Sequence, residues 1–190
     1  SACVYNSQKQ NKTFIPGLKE EDSYPADPED GYGWEKLFSE RMCRHFYEDF
    51  GLETRIARFH NVYGPLGTYD GGREKAPAAI CRKIAFAKKN KLDEIEIWGD
   101  GEQTRSFMFI EDCLEGTKKI FQSNYRGVLN LGSSEQVSIN MMVDMISKIS
   151  GKNVKKKYLF DKPKGVRGRS SDNSKILKEL NWEPRIKLEE

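Results

Sequence analysis

The sequence predicts an α/β protein with parallel strand pairing and a smaller, more irregular α/β lobe toward its C-terminal end. Two observations carry this. Short β-branched and aromatic runs alternate with segments of helical periodicity along most of the chain, the pattern of strand-helix units that pair in parallel. The chain also has 190 residues with 37% hydrophobic content, enough to bury a core, and it holds no internal repeat and no low-complexity segment.

The elements follow in order. Ser1-Ala2-Cys3-Val4-Tyr5 has the composition of a strand end, and because the first residue is not Met the chain is expected to start inside a fold. A polar, proline-containing loop runs from Lys9 to Glu29. From Gly33 to Phe50, the residues Leu37, Phe38, Met42, Phe46 and Phe50 recur mostly three or four apart, which predicts an amphipathic helix stopped by Gly51. Thr54 to Phe59 predicts a strand that runs into Asn61-Val62-Tyr63 and stops at Gly64-Pro65. A glycine-rich loop then leads to a helix over Lys75 to Lys89 and an alternating strand over Glu94 to Trp98, closed by Gly99-Asp100-Gly101. Thr104 to Ile110 is a further strand. Helical patterns recur over Glu111 to Phe121, Ile139 to Ile149 and Ser174 to Leu180, separated by strands at Val128 to Leu131 and Val154 to Phe160. Met141, Met142 and Met145 read as helix core.

Charge and cysteine usage exclude several classes. With 32 basic and 29 acidic residues the formal charge is only +3, too balanced for a dedicated nucleic-acid surface. The basic stretch from Lys152 to Lys157 lacks interleaved stacking aromatics beyond Tyr158 and reads as the solvated face of an edge strand. Cys3, Cys43, Cys81 and Cys113 are widely spaced, form no Cys-x-x-Cys pair and have only His45 and His60 as further soft ligands. Reduced thiols in a cytoplasmic protein without a metal site are expected. No apolar run approaches a membrane span, so no membrane association is expected.

The chemistry concentrates in four places. Tyr32 and Lys36 lie four residues apart on a predicted helix, so the phenol and the ammonium share a face. A cation beside a phenol favours its ionised form, which lets the pair exchange a proton with an alcohol. Tyr-x-x-x-Lys alone is common in helices, and the neighbouring blocks are what give it weight. Cys3 is either a small buried thiol at an element end or a proton-transfer group. Lys75, at a helix start, is either a solvated cation or a second proton carrier. Arg105 and Val166-Arg167-Gly168-Arg169 supply cations suited to phosphates, or else the latter is an exposed basic loop.

Taken together these blocks resemble the extended short-chain dehydrogenase/reductase group, the NAD-dependent epimerases and dehydratases that act on nucleotide sugars. Ser1 with Tyr32 and Lys36 is similar to that group's catalytic triad. Arg58-Phe59-His60-Asn61-Val62-Tyr63-Gly64-Pro65, Gly99-Asp100-Gly101-Glu102-Gln103-Thr104-Arg105-Ser106-Phe107 and Asn130-Leu131-Gly132-Ser133 match it in order and approximate spacing. Within the group, Ala2-Cys3 and Gly71-Gly72-Arg73-Glu74-Lys75-Ala76-Pro77-Ala78-Ala79 are similar to the GDP-mannose 3,5-epimerases.

This resemblance implies a fold and a reaction. The fold is the C-terminal part of a Rossmann-like doubly wound parallel sheet plus a smaller substrate-binding lobe. Residues 1–65 would belong to the NAD-binding domain, and 66–190 mainly to the substrate lobe with some segments returning to the sheet. The activity implied is epimerisation of GDP-mannose at C3 and C5 to GDP-L-galactose through transient NAD-dependent oxidation at C4. Tyr32, Lys36, Cys3, Lys75 and Ser1 would be catalytic, with Cys3 as base and Lys75 as acid, and Tyr32 and Lys36 would also contact NAD. Ser1, Ala2, Cys3, Asn61, Glu74, Lys75, Lys83, Gln103, Thr104, Arg105 and Arg169 would contact substrate, Arg169 at the diphosphate. A homodimer built partly on the Tyr32 helix is also implied.

Two alternatives stay open at this point. One is a different nucleotide-sugar 4-epimerase or 4,6-dehydratase. The other is a substrate-binding or dimer-forming module inactive by itself, because no Gly-x-x-Gly-x-x-Gly turn occurs in the sequence and the resemblance implies that this dinucleotide cradle lies upstream.

Overall fold

The computed structural model describes residues 1–163 and 165–190. Its first helix, α1 (Gly31–Phe50), begins where Asp30 accepts a hydrogen bond from the Gly33 amide at 2.8 Å, and it ends at Gly51, whose φ of 67° is the left-handed conformation a helix C-terminus requires. Strands β1 (Ile56–Phe59) and β2 (Asn61–Tyr63) follow. Helix α2 (Ala76–Lys89), with Pro77 in its first turn, leads to β3 (Glu94–Trp98) and β4 (Thr104–Phe109). Next come α3 (Ile110–Gln122), β5 (Val128–Leu131), β6 (Gln136–Ser138), α4 (Ile139–Ser150), β7 (Lys155–Leu159), β8 (Gly168–Arg169) and α5 (Ser174–Leu180).

Pairing is mainly parallel. β1 pairs with β5, β2 with β4 and β3 with β7, all in parallel, as expected where helices link the strands. β4 is also flanked by antiparallel β6 and by the two-residue parallel strand β8. Because successive strand residues point to opposite faces, β4 sends Phe107 into a core with Ile84, Ile97 and Met142, and Met108 into a second core with Leu129, Leu131 and Ile176. A third cluster joins Val4, Tyr5, Ile15 and Leu18 to Leu37 of α1.

The structure departs from the sequence expectations at three places. Ser1 to Tyr5 is not a strand end: Ala2–Val4 is a 3-10 turn, capped by the Ser1 hydroxyl, which accepts from the Cys3 amide at 3.2 Å. Its apolar residues are buried against α1 rather than in a ladder. The apolar stripe of α1 is not core: Phe38, Met42, Phe46 and Phe50 are exposed, and only Gly33 and Leu37 are buried. Of the three methionines on α4, Met142 is fully buried and Met141 is exposed. The lysine run falls on β7, where Glu94 and Glu96 stand opposite Lys155 and Lys157, and Lys156 reaches Asp144 at 2.6 Å.

Between the third cluster and β1 sits a buried ion pair. Arg58 binds both carboxylate oxygens of Glu40, at 2.9 and 2.7 Å, and donates to the Glu20 carbonyl at 2.7 Å and the Ser23 hydroxyl at 3.1 Å. Removing one partner leaves the other charge stranded out of water. Arg58→Ala is therefore expected to destabilise the protein by about 3–5 kcal/mol in urea unfolding, and a change under about 1 kcal/mol would show that the pair is dispensable.

Candidate active site

A cavity of roughly 370 Å³ gathers residues that lie far apart in the sequence. The 3-10 turn contributes Ser1, Ala2 and Cys3; α1 contributes Tyr32 and Lys36; the β1-β2 junction contributes Phe59, His60 and Asn61; Lys75 enters from the N-cap of α2 and Arg169 from β8. All of the predicted catalytic residues line this one space.

Local packing explains the arrangement. A Cβ on Gly33 would stand 2.3 Å from the Cys3 carbonyl oxygen, so only glycine lets the turn bearing Cys3 approach α1 one residue from Tyr32. Lys36 lies over the Tyr32 ring, 5.2 Å from its centre, and its ammonium pairs with Glu35 at 2.8 Å. That carboxylate holds Lys36 above the ordinary lysine value. The Tyr32 ring is half exposed, so its phenol can reach a ligand.

Arg169 joins two ends of the site. Its Nε donates to Gln10 Oε1 at 2.5 Å and its Nη1 lies 3.5 Å from Cys3 Sγ. The β4-β8 ladder sets it in register with Arg105. Burial, and then the Arg169 cation, push Arg105 down to about 10. Among the described residues neither guanidinium forms an ion pair with a carboxylate. Two neighbouring cations without an acid partner suit a phosphate-bearing ligand.

The remaining predicted contacts lie outside the cavity lining. Glu74 accepts from the Gly72 amide at 2.7 Å and from Arg82 at 3.0 Å, and backbone and guanidinium donors hold it below the ordinary carboxylate value. Lys83 donates to the Glu96 carbonyl at 2.6 Å, and burial lowers its value. Gln103 donates to the Trp98 carbonyl at 3.0 Å, and the Thr104 hydroxyl donates to the Thr13 carbonyl.

Sequence reasoning treated His60 only as a possible metal ligand and missed its place in the cavity wall. It also missed Asn130, whose side chain accepts from the Tyr5 hydroxyl, donates to the carbonyls of Leu18 at 2.7 Å and Asp172 at 3.2 Å, and faces His60 Nε2 at 3.4 Å. The position of both inside matching motif blocks was the available signal.

This fold and cavity define a class: the chain belongs to the NAD dependent epimerase/dehydratase family, whose profile matches residues 1–132. Among relatives, the GDP-mannose 3,5-epimerase of Arabidopsis thaliana is 49% identical over 190 residues, covering 100% of this chain and 49% of that protein. The GDP-mannose 3,5-epimerase 1 of Oryza sativa subsp. indica is 48% identical, again over 100% of this chain and 49% of that protein. The chain thus spans about half the length of the curated relatives it matches. The crystal structure of UDP-glucuronic acid 4-epimerase from Bacillus cereus in complex with UDP-glucuronic acid and NAD superposes with a TM-score of 0.76 at 28% identity, covering 97% of this chain and 56% of that one.

The close approach at Gly33 is testable. Gly33→Ala is expected to push the Cys3 turn away from α1 and destabilise the protein by about 1–3 kcal/mol in urea unfolding, the usual cost of overpacking. Unchanged stability would show that the turn can move off α1 without strain.

Proposed function

We propose that the intact protein converts GDP-mannose to GDP-L-galactose by inverting C3 and C5, with transient oxidation at C4. The observation that carries this reading is the single cavity shared by the redox-type pair Tyr32/Lys36 and the proton-transfer candidates Cys3 and Lys75. The similarity to the plant GDP-mannose 3,5-epimerases across the whole chain supports the choice of substrate.

The residues fit the nicotinamide end of NAD: Tyr32 is half exposed, and Lys36 presents an ammonium on the same helical face. Both would hold the cofactor, which when bound supplies reversible hydride acceptance at the sugar C4. Tyr32 takes the C4 hydroxyl proton, with Ser1 bonding the same oxygen. A carbonyl at C4 acidifies the hydrogens on C3 and C5. Cys3 removes a proton from one ring face, and Lys75 delivers one to the other. Once Cys3 has released its proton to solvent and Lys75 has regained one, the same exchange at the second carbon and return of the C4 alcohol give the doubly inverted sugar with no net redox change.

Arg169 and Arg105 hold the diphosphate, and Asn61, Glu74, Lys83, Gln103 and Thr104 complete the contacts in this reading. Residues 1–65 serve the cofactor side and 66–190 mainly the substrate side, with β5 returning to pair with β1. The exposed arc of Trp34, Phe38, Met42 and Phe46 on α1 supports a homodimer through that helix.

The decisive experiment follows deuterium from heavy water into the sugar by NMR. Cys3→Ala or Lys75→Ala in the intact protein is expected to abolish incorporation at C3 and C5 while C4 oxidation persists. Undiminished incorporation at both carbons would sink the scheme. At the other end, Arg169→Ala is expected to weaken GDP-mannose binding in calorimetry by about 10- to 100-fold, the range for a lost charged hydrogen bond, and unaltered affinity would remove Arg169 from the diphosphate site.

A further inference from the structure

Gln10 is buried, with 1% of its surface exposed, and it lines no part of the cavity described above. Its side-chain amide is nevertheless fully committed. Nε2 donates to the backbone carbonyls of Tyr5 at 3.2 Å and Asn6 at 3.3 Å, which uses both amide hydrogens. The orientation of the amide follows: Oε1 faces the other way, where it accepts from Arg169 Nε at 2.5 Å. The main chain of Gln10 adds a second tie just before β8, since its carbonyl accepts from the Arg167 amide at 2.9 Å.

The effect of this anchor falls on Arg169. A guanidinium carries five N–H donors in one plane, so two fixed contacts set the aim of the rest. Nε is fixed by Gln10 and Nη1 by Cys3 Sγ at 3.5 Å, while Nη2 has no hydrogen-bond acceptor among the described residues. Arg169 is only partly buried and belongs to the cavity lining, so the donors left over can meet a ligand there.

The charge of the anchor matters as much as its place. Across the β4-β8 ladder Arg169 stands beside Arg105, two like charges in register. A carboxylate at position 10 would ease that repulsion by forming a buried ion pair, and it would then compete with any anionic ligand for the same donors. A neutral amide orients the guanidinium and leaves its charge uncompensated.

We propose that Gln10 is the positioning residue of the anion end: it aims the Arg169 guanidinium at the diphosphate of a nucleotide sugar and, being neutral, leaves that cation free for the ligand. The inference rests on the diphosphate contact proposed above for Arg169 and adds the residue through which that contact is set. Glutamate would accept from Arg169 equally well, but it would set a carboxylate against the Tyr5 and Asn6 carbonyls and cancel the charge. Leucine has a similar volume and offers no acceptor.

The test is a double-substitution cycle in the intact protein, with GDP as the probe in calorimetry. Wild type and Arg169→Ala come first. No GDP binding by the wild type, or equal affinity in the two, overturns the diphosphate reading and this proposal together. Given a loss in Arg169→Ala, Gln10→Leu is expected to weaken GDP binding about 3- to 10-fold in the wild-type background and not at all in the Arg169→Ala background, because its effect passes through Arg169. A merely structural glutamine would cost the same in both backgrounds. That result, or no loss in either, overturns the proposal and leaves the reading intact.

Gln10→Glu keeps the length, the shape and the acceptor, and it serves where the leucine variant folds poorly. It is expected to weaken GDP binding by about 10-fold or more through the cancelled charge, and to bind guanosine, which has no phosphate, as the wild type does. Wild-type affinity for GDP in this variant, or an equal loss for guanosine, overturns the proposal as well.

Discussion

Much of this chain's geometry depends on one buried guanidinium. Arg58 is 2% exposed, and it is held by both oxygens of Glu40 on α1, by the Glu20 carbonyl and Ser23 hydroxyl of the preceding loop, and by the face of the Tyr5 ring 5.1 Å away. Desolvating two charges is favourable only when the geometry is near ideal and the remaining donors are satisfied, so such a pair tolerates little displacement. Three of the five cavity elements lie within a few residues of it. Lys36 is one helical turn before Glu40, Cys3 two residues before Tyr5, and His60 and Asn61 follow Arg58 after Phe59. The pair therefore acts as a register pin: it aligns α1, the 3-10 turn and the end of β1, and Lys75 of the α2 N-cap and Arg169 of β8 complete the cavity wall from the other side.

The parts that were legible in the sequence are those where a local pattern has a local cause. Helices α2, α3, α4 and α5 and strands β3, β4, β5 and β7 lie within a residue or two of where periodicity and Gly or Pro breaks predict them. Where the cause is tertiary, the reading failed. Periodicity on α1 records that a surface needs covering without saying by what, and its stripe is exposed here while Leu37 and Gly33 do the internal packing. Ser1 to Tyr5 has strand composition, yet among the described residues no strand pairs with it, and its apolar side chains pack against Leu37 of α1 from a 3-10 turn. Strands β6 and β8, of three and two residues, are too short to leave a period-two signal.

The candidate site was legible in an equally selective way. Residues whose chemistry is intrinsic, such as Tyr32, Lys36, Cys3, Lys75 and Arg169, stood out by type and by resemblance, and they line one cavity. The Thr104 hydroxyl is donated to the Thr13 carbonyl and ties β4 to the N-terminal loop, a tertiary contact that no local pattern announces. His60 and Asn130 went unread because their roles depend on partners distant in sequence, 70 residues apart from each other in this case.

The strand least visible in the sequence has the largest consequence for the site. β8 places Arg169 beside Arg105, a like-charge contact that opposes folding. Gly168 makes it possible, since a Cβ there would meet the Lys12 carbonyl at 2.4 Å and the Thr13 carbonyl at 2.7 Å. A repulsion kept in this way would be relieved by an anion, which fits the diphosphate contact proposed for the arginine pair. Its anchors lie in the same N-terminal segment that carries the thiol: Arg169 holds Gln10 and Cys3, and the backbone amide of Arg167 donates to the Gln10 carbonyl at 2.9 Å. Anion end and proton-transfer end are thus parts of one hydrogen-bonded unit. In the proposed reaction that unit would set the distance between a bound diphosphate and Cys3, as chemistry at the two ring carbons flanking C4 requires.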